Sequence, residues 1–156
     1  MKTNLGDILS ESQIITDLRA TNRWTAIDEL IQNLIENSQL KPEYRDAVTA
    51  VVRKRESSMS TGIGFGIGLP HASTELVNDL TGAFGRSKQA IDFDALDGKP
   101  VHLVFLLLIP QGQFQKHLHT VANLAKLLHK TEFRSALEQV ASAQEILQII
   151  RSQPTQ

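Results

Sequence analysis

Between residues 24 and 35 the apolar side chains Ile27, Leu30, Ile31, Leu34 and Ile35 recur three and four apart. That spacing gathers them on one helical face. Asn37-Ser38 end the pattern, and Pro42 suits the first turn of a second helix running to about residue 56. Residues 116–128 repeat the signal with Val121, Leu124, Leu127 and Leu128, and shorter helices are predicted over residues 132–140 and 144–150. Residues 5–9 predict a single helical turn, residues 13–16 a short strand and residues 81–86 a longer one. Residues 101–109 are aliphatic with little polar alternation, as in a central strand buried on both faces. Pro110-Gln111-Gly112 stop that strand, and Asp94, Asp97 and Gly98 mark turns before it. Helices before and after strands predict an α/β fold, a mixed central sheet of about five strands with helices on both sides.

Composition narrows the class of protein. At 156 residues the chain fits one domain over residues 1–156, with order expected over 5–150 and a disordered tail at 152–156. Hydrophobic residues make up 41% and charged residues 21%, ordinary values for a globular protein. A net charge of −1 argues against nucleic-acid and anionic-membrane partners, which need a basic surface. The absence of cysteine excludes disulfides, thiolate metal sites and a cysteine nucleophile. No apolar run approaches the roughly 20 residues of a membrane helix, and residues 1–7 lack the apolar core of a signal peptide. A cytoplasmic location without membrane insertion is expected.

Candidate chemistry concentrates at Ser60-Thr61-Gly62-Ile63-Gly64-Phe65-Gly66-Ile67-Gly68-Leu69-Pro70-His71. The glycines let the backbone turn tightly and approach a ligand. Pro70 fixes its own φ and biases Leu69 to an extended conformation, so His71 leaves a defined backbone. Its imidazole can serve there as nucleophile, base or ligand, or be an incidental surface histidine. Glycines at every second residue align with no dinucleotide fingerprint, and no Gly-Lys-Ser/Thr closes the run as a P-loop requires. His117 and His119 suggest a metal-binding pair, but two residues apart on a helix they point away from each other. His117 shares the stripe of Val121, Leu124 and Leu128, whereas His119 falls on the solvated side. At the start of its helix, a neutral His117 can donate to an anion. His102, His119 and His129 read as structural or surface histidines. Arg53, Lys54 and Arg55 read equally as a solvated helix end or as a source of an anion clamp.

Together these segments resemble the enzyme IIA domain of the bacterial phosphotransferase system, fructose/mannitol class, and most of all its nitrogen-regulatory branch. The resemblance rests on Arg55-Glu56-Ser57-Ser58-Met59-Ser60-Thr61-Gly62-Ile63-Gly64, on Gly66-Ile67-Gly68-Leu69-Pro70-His71, on Ile91-Asp92-Phe93-Asp94-Ala95-Leu96-Asp97-Gly98-Lys99-Pro100-Val101, and on His117-Leu118-His119-Thr120. It covers about residues 5–150. It implies that His71 is the phosphorylated histidine, reacting through Nε2, with His117 and Arg55 as its active-site companions. Backbone N–H groups of the loop, including Gly68, and the Ser60 or Thr61 hydroxyl would help hold the phosphoryl oxygens. Phe65, Ile63 and Leu69 would offer a docking surface. The family usually has alanine at the position of Gly68 and often glycine at that of Ala72.

Phosphoryl transfer of this kind needs positioning and charge stabilisation, and no metal or other cofactor. The implied donor is a histidine-containing phosphocarrier protein, and the domain itself would have little independent turnover. The first function class is a phosphocarrier with a regulatory output towards a target protein. The second is sugar transport, in which the domain passes phosphate to a separate IIB domain of a fructose/mannitol-type permease. A third is a binding module whose His71 accepts no phosphate.

Overall fold

The computed structural model describes residues 5–153. Its elements in chain order are α1 (Leu5–Ile8), β1 (Ile14–Ile15), α2 (Arg23–Glu36), α3 (Arg45–Ser58), β2 (Gly62–Gly64), β3 (Ile67–Gly68), β4 (His71–Thr74), β5 (Thr81–Ile91), β6 (Val101–Pro110), α4 (Phe114–Leu128), α5 (Thr131–Gln139) and α6 (Ala143–Arg151). Short 3-10 turns precede β1 and α3. Local signals place most boundaries. Asn22 caps α2 by accepting from the Thr25 N–H, and Ser142 caps α6 by accepting from that of Glu145.

The sheet has six strands in the order β1-β5-β6-β3-β2, with β4 also paired to β6. It is mixed: β5 and β6 are antiparallel, whereas β1 pairs β5, and β3 and β4 pair β6, in parallel. This is the α/β architecture predicted from sequence, with six strands in place of about five. The additional strands come from the glycine run, whose pieces are too short to show an alternating pattern. Ser152 and Gln153 follow α6, and the Gln153 side-chain amide donates to the Ile149 carbonyl at 3.0 Å. Residues 154–156 of the tail expected to be disordered lie outside the described residues. No helix among the described residues is long and apolar enough to cross a membrane.

Both faces of β6 are buried, as its unbroken apolar run requires. Leu103, Phe105, Leu107 and Ile109 pack with residues of α1, α4, α5 and α6. Val104, Leu106 and Leu108 pack with α2 and α3 on the other face.

The path of the glycine run fixes the position of His71. Ile67 lies opposite Leu103 and His71 opposite Leu107, so β3 and β4 follow β6 in one continuous register. Only Leu69-Pro70 interrupts them, because Pro70 has no N–H to give to the ladder. Its carbonyl still accepts from the Leu107 N–H at 3.0 Å. Upstream, Phe65 and Gly66 both have positive φ, 60° and 80°, as the central residues of a tight hairpin turn require. Asp97 holds this turn by accepting from the Phe65 N–H at 3.2 Å.

Candidate functional site

His71 opens β4, whose free edge is packed by α3. The half-buried imidazole lines an open cleft of about 390 Å³ between the end of α3 and the start of α4. Helix α3 contributes Val51, Lys54, Arg55 and Ser58, residues spaced three and four apart that share one face. Ser73, two residues along β4, and Phe114, the first residue of α4, complete the wall. Arg55 is anchored to its own helix end by donating to the Met59 carbonyl at 3.3 Å.

His71 Nδ1 lies 2.8 Å from the Leu69 carbonyl oxygen. A carbonyl only accepts, so Nδ1 carries the proton and Nε2 keeps its lone pair. Burial lowers the pKa of the ring below the ordinary 6.5; the Leu69 bond partly offsets this, the Arg55 charge lowers it further, and the Glu56 charge raises it. The result is a neutral imidazole near pH 7, with one nitrogen held and the other free. The sign follows from linkage. With a folded pKa below 6.5, the unfolded chain takes up the proton first on acidification. The stability contribution of His71 is thus present above pH 6.5 and is lost as pH falls through the folded pKa. NMR titration of 15N-labelled histidine should give a His71 midpoint below 6.5 and an unprotonated Nε2 at neutral pH. A midpoint above 6.5, or a proton on Nε2, would contradict this geometry.

Glu56 lies on the inward stripe of α3 with Val48 and Val52, and is only 1% exposed. Its carboxylate accepts from the Thr61 N–H at 2.9 Å and the Thr61 hydroxyl at 2.6 Å, and pairs with Arg23 at 3.3 Å. The sequence reading passed over it, although its spacing of four from Val52 and eight from Val48 was visible. Phe114 was missed as well, because the helix was expected to begin two residues later.

The remaining sequence candidates are placed differently. Thr61 is buried and its hydroxyl is bound to Glu56, and the Ser60 hydroxyl donates to the Phe93 carbonyl at 2.6 Å. Neither lines the cleft. Gly68 is buried between Gly62 and Val104, and a methyl group there would meet the Phe93 ring at 2.7 Å, so that ring fills the space of the family's usual alanine. Leu69 is only 3% exposed and belongs to the core, which corrects its assignment to a docking surface. Ile63 is half-buried against the same core. Phe65 is 54% exposed, but its ring packs edge-on to His129 and under Arg134. It sits beyond Ile67 at the hairpin tip, while His71 is four residues further along β6, about 13 Å.

His117 has no exposed surface and does not line the cleft. Its Nε2 lies 3.3 Å from the Gln113 side-chain oxygen, and its buried Nδ1 has no hydrogen-bond partner among the described residues. Burial is the main cause that lowers its pKa; Lys116 adds to this and Asp79 opposes it. His119 is exposed, so the two histidines do not face one ion.

Residues 7–153 match the model of a family described as phosphoenolpyruvate-dependent sugar phosphotransferase system, EIIA 2. The chain belongs to this family. As a IIA component it is similar to proteins of two kinds. It is 36% identical over 144 residues to the fructose-specific EIIABC component of Bacillus subtilis, covering 92% of this chain but only 22% of that protein's length. It is 40% identical over 125 residues to the fructose-specific EIIA component of Haloferax volcanii, covering 80% of each. It is 32% identical over 148 residues to the nitrogen regulatory protein of Bradyrhizobium diazoefficiens, covering 95% of each. The crystal structure of nitrogen regulatory protein IIA-Ntr from Neisseria meningitidis superposes with a TM-score of 0.85 at 34% identity, over 94% of this chain and 98% of that one. IIA mannitol from Escherichia coli shares the fold, with a TM-score of 0.74 at 20% identity over 91% of this chain and 98% of that one.

Proposed function

We propose that this IIA domain accepts a phosphoryl group on Nε2 of His71 from the phosphohistidine of a histidine-containing phosphocarrier protein. The observation that carries the reading is the Nδ1 bond to the Leu69 carbonyl, which leaves Nε2 unprotonated in the cleft beside Arg55. As the new N–P bond forms, the donor's N–P bond breaks and its electron pair stays on the donor ring. No proton must leave Nε2, so the step needs no base. Charge on the transferring oxygens falls to Arg55 and Lys54, which project from the same face of α3. The Ser73 hydroxyl, which lines the cleft, would assist in the role first expected of Ser60 and Thr61, whereas the Ser58 hydroxyl already donates to the Arg55 carbonyl at 2.8 Å. His117 can join only after its ring leaves Gln113. The domain carries one group at a time and has little turnover of its own.

For output, we favour regulation of a target protein by the phosphorylation state of His71. Support comes from similarity to nitrogen regulatory proteins along nearly the full length of both chains and from the close superposition on IIA-Ntr. Sugar transport through a separate IIB domain is the second reading, favoured by 40% identity to a fructose-specific EIIA component. Offering the phosphorylated domain to a fructose-type IIB domain separates them: rapid transfer to IIB supports transport.

The primary test incubates the domain with enzyme I, phosphoenolpyruvate and the carrier, then maps the label. An alkali-stable, acid-labile phosphate on residue 71 is expected, and a label elsewhere sinks the assignment. The exposed apolar residues Val51, Phe114 and Leu118 stand at or beside the cleft and suit a transient carrier. Phe114→Glu should raise the carrier concentration needed for half-maximal rate, whereas Phe65→Glu at the distant hairpin should not. The reverse pattern would move docking to the hairpin.

A further inference from the structure

We propose that Glu56 is a positioning residue for His71, acting through a chain of hydrogen bonds that runs from its buried carboxylate through Thr61 and Leu69 to the imidazole. The inference rests on the reading of His71 as the phosphoryl acceptor. Glu56 Oε2 accepts from the Thr61 N–H at 2.9 Å. The Thr61 carbonyl accepts from the Leu69 N–H at 3.0 Å. The Leu69 carbonyl holds His71 Nδ1 at 2.8 Å. Each transfer from one bond to the next crosses an α-carbon and not a single conjugated peptide unit. The chain therefore transmits position and not electronic polarisation.

The arrangement explains why a carboxylate is buried here at all. Burying a charge is costly unless it is fully paired, and Glu56 has the Thr61 hydroxyl at 2.6 Å and Arg23 at 3.3 Å besides the Thr61 N–H. Arg23 in turn lies over the Trp24 ring, 4.4 Å from its centroid. One side chain thus fastens the end of α3, which carries Arg55, to the entry of the strand pair that carries the Leu69 carbonyl. The two groups that prepare His71, its tautomer-fixing acceptor and its cationic neighbour, are set by a common anchor. A carboxylate that orients a reactive histidine usually does so by direct contact; here the backbone of two residues stands between them.

The charged groups around His71 are Lys54, Arg55 and Glu56, all from α3; Ser73 of β4 and Phe114 of α4 are uncharged. The test is Glu56→Gln in the full chain, which keeps the shape and removes the charge and one acceptor. Circular dichroism monitors the fold. NMR of 15N-labelled histidine should show a rise in the Nε2–H tautomer of His71 and a titration midpoint lower than in the wild type, since a negative neighbour has gone. The rate of phosphoryl capture at saturating carrier should fall by between about tenfold and about a hundredfold, as when a group orienting a metal-bound histidine is removed. The half-saturating carrier concentration should change little. Arg23→Gln is the control: it weakens the ion pair and the melting temperature but leaves both holds on Thr61, so tautomer and capture should stay near wild type. Should Glu56→Gln fail to fold, Thr61→Val removes only the hydroxyl hold on a similar shape and should shift the tautomer in the same direction. A folded Glu56→Gln or, failing that, Thr61→Val with wild-type tautomer, titration and capture overturns the proposal. The tautomer is read without any phosphoryl donor, so absence of phosphate on wild-type His71 would strike the functional reading and leave this measurement standing.

Discussion

His71→Ala should leave the domain folded and take its phosphoryl uptake to background. His71 is only half-buried, at the first residue of a short strand, and the backbone bond from Leu107 to the Pro70 carbonyl does not depend on the imidazole. Among the described residues no other histidine lines the cleft. His117 is fully buried with its Nε2 at Gln113, His102 on β6 has its Nδ1 3.1 Å from the Ser87 carbonyl, and His119 and His129 are exposed but do not line the cleft. Uptake is measured with labelled phosphoenolpyruvate, enzyme I and carrier, with thermal unfolding as the folding control. The same variant should lose part of the fall in stability below pH 6.5, because the wild-type ring is protonated more readily in the unfolded chain. Phosphohistidine on a folded His71→Ala protein would defeat the assignment. Arg55→Ala is a milder case: losing one preorganised donor costs about 3 kcal/mol, or about a hundredfold in capture rate.

The largest stability effect is expected from Phe105→Ala. Phe105 is fully buried in the middle of β6 and faces Phe84 across the antiparallel pair, with ring centroids 4.4 Å apart. It belongs to the core shared with Leu124, Leu128, Phe133 and Leu137. Truncating a buried phenylalanine costs about 3–5 kcal/mol, out of a total stability on the order of 5–15 kcal/mol. For a chain of this length the melting temperature should drop by roughly 10 °C. The fold around the cavity should survive at low temperature, with His71 still able to accept phosphate there. Thermal and denaturant unfolding check the loss, and a cost below about 1 kcal/mol would show that the core closes over the gap.

The helices and β6 were legible because each buries one face, or both, in a run long enough to show its period. The sequence reading ended β5 at Arg86, whereas the strand continues to Ile91. Lys88, Gln89 and Ala90 are exposed and show no apolar alternation. Strands β2, β3 and β4 were hidden for another reason. They are two to four residues long, and what makes them strands is pairing with β6 and with each other, which lies outside any local window. At the site, His71 was singled out by the glycine run that leads to it and Arg55 as one of three clustered cations, their roles came through resemblance, and the structure sets both at one cleft. Ser60 and Thr61 looked equally available in the sequence, but a sequence does not show that their hydroxyls are already bonded to the Phe93 carbonyl and to Glu56. Which side of the hairpin Phe65 falls on was likewise a matter of tertiary packing, decided by His129 and Arg134.

The shared register of β3 and β4 along β6 bears on which sequence changes this segment can absorb. His71 lies opposite Leu107, on the face that packs towards α4–α6, while its neighbour Ala72 lies opposite Leu108 and joins the core under α2 and α3. Successive residues of a strand alternate between faces, so parity decides where the imidazole points. One residue inserted between Gly68 and His71 leaves two outcomes. Either β4 slides by one position and turns the imidazole out of the cleft into the core under α2 and α3, or the extra residue bulges at Leu69-Pro70 and carries the Leu69 carbonyl away from Nδ1. A library that varies length as well as identity should show this directly: conservative apolar substitutions at the buried Ile67 and small residues at Ala72 should keep phosphoryl uptake, while single insertions and deletions in the same stretch should remove it.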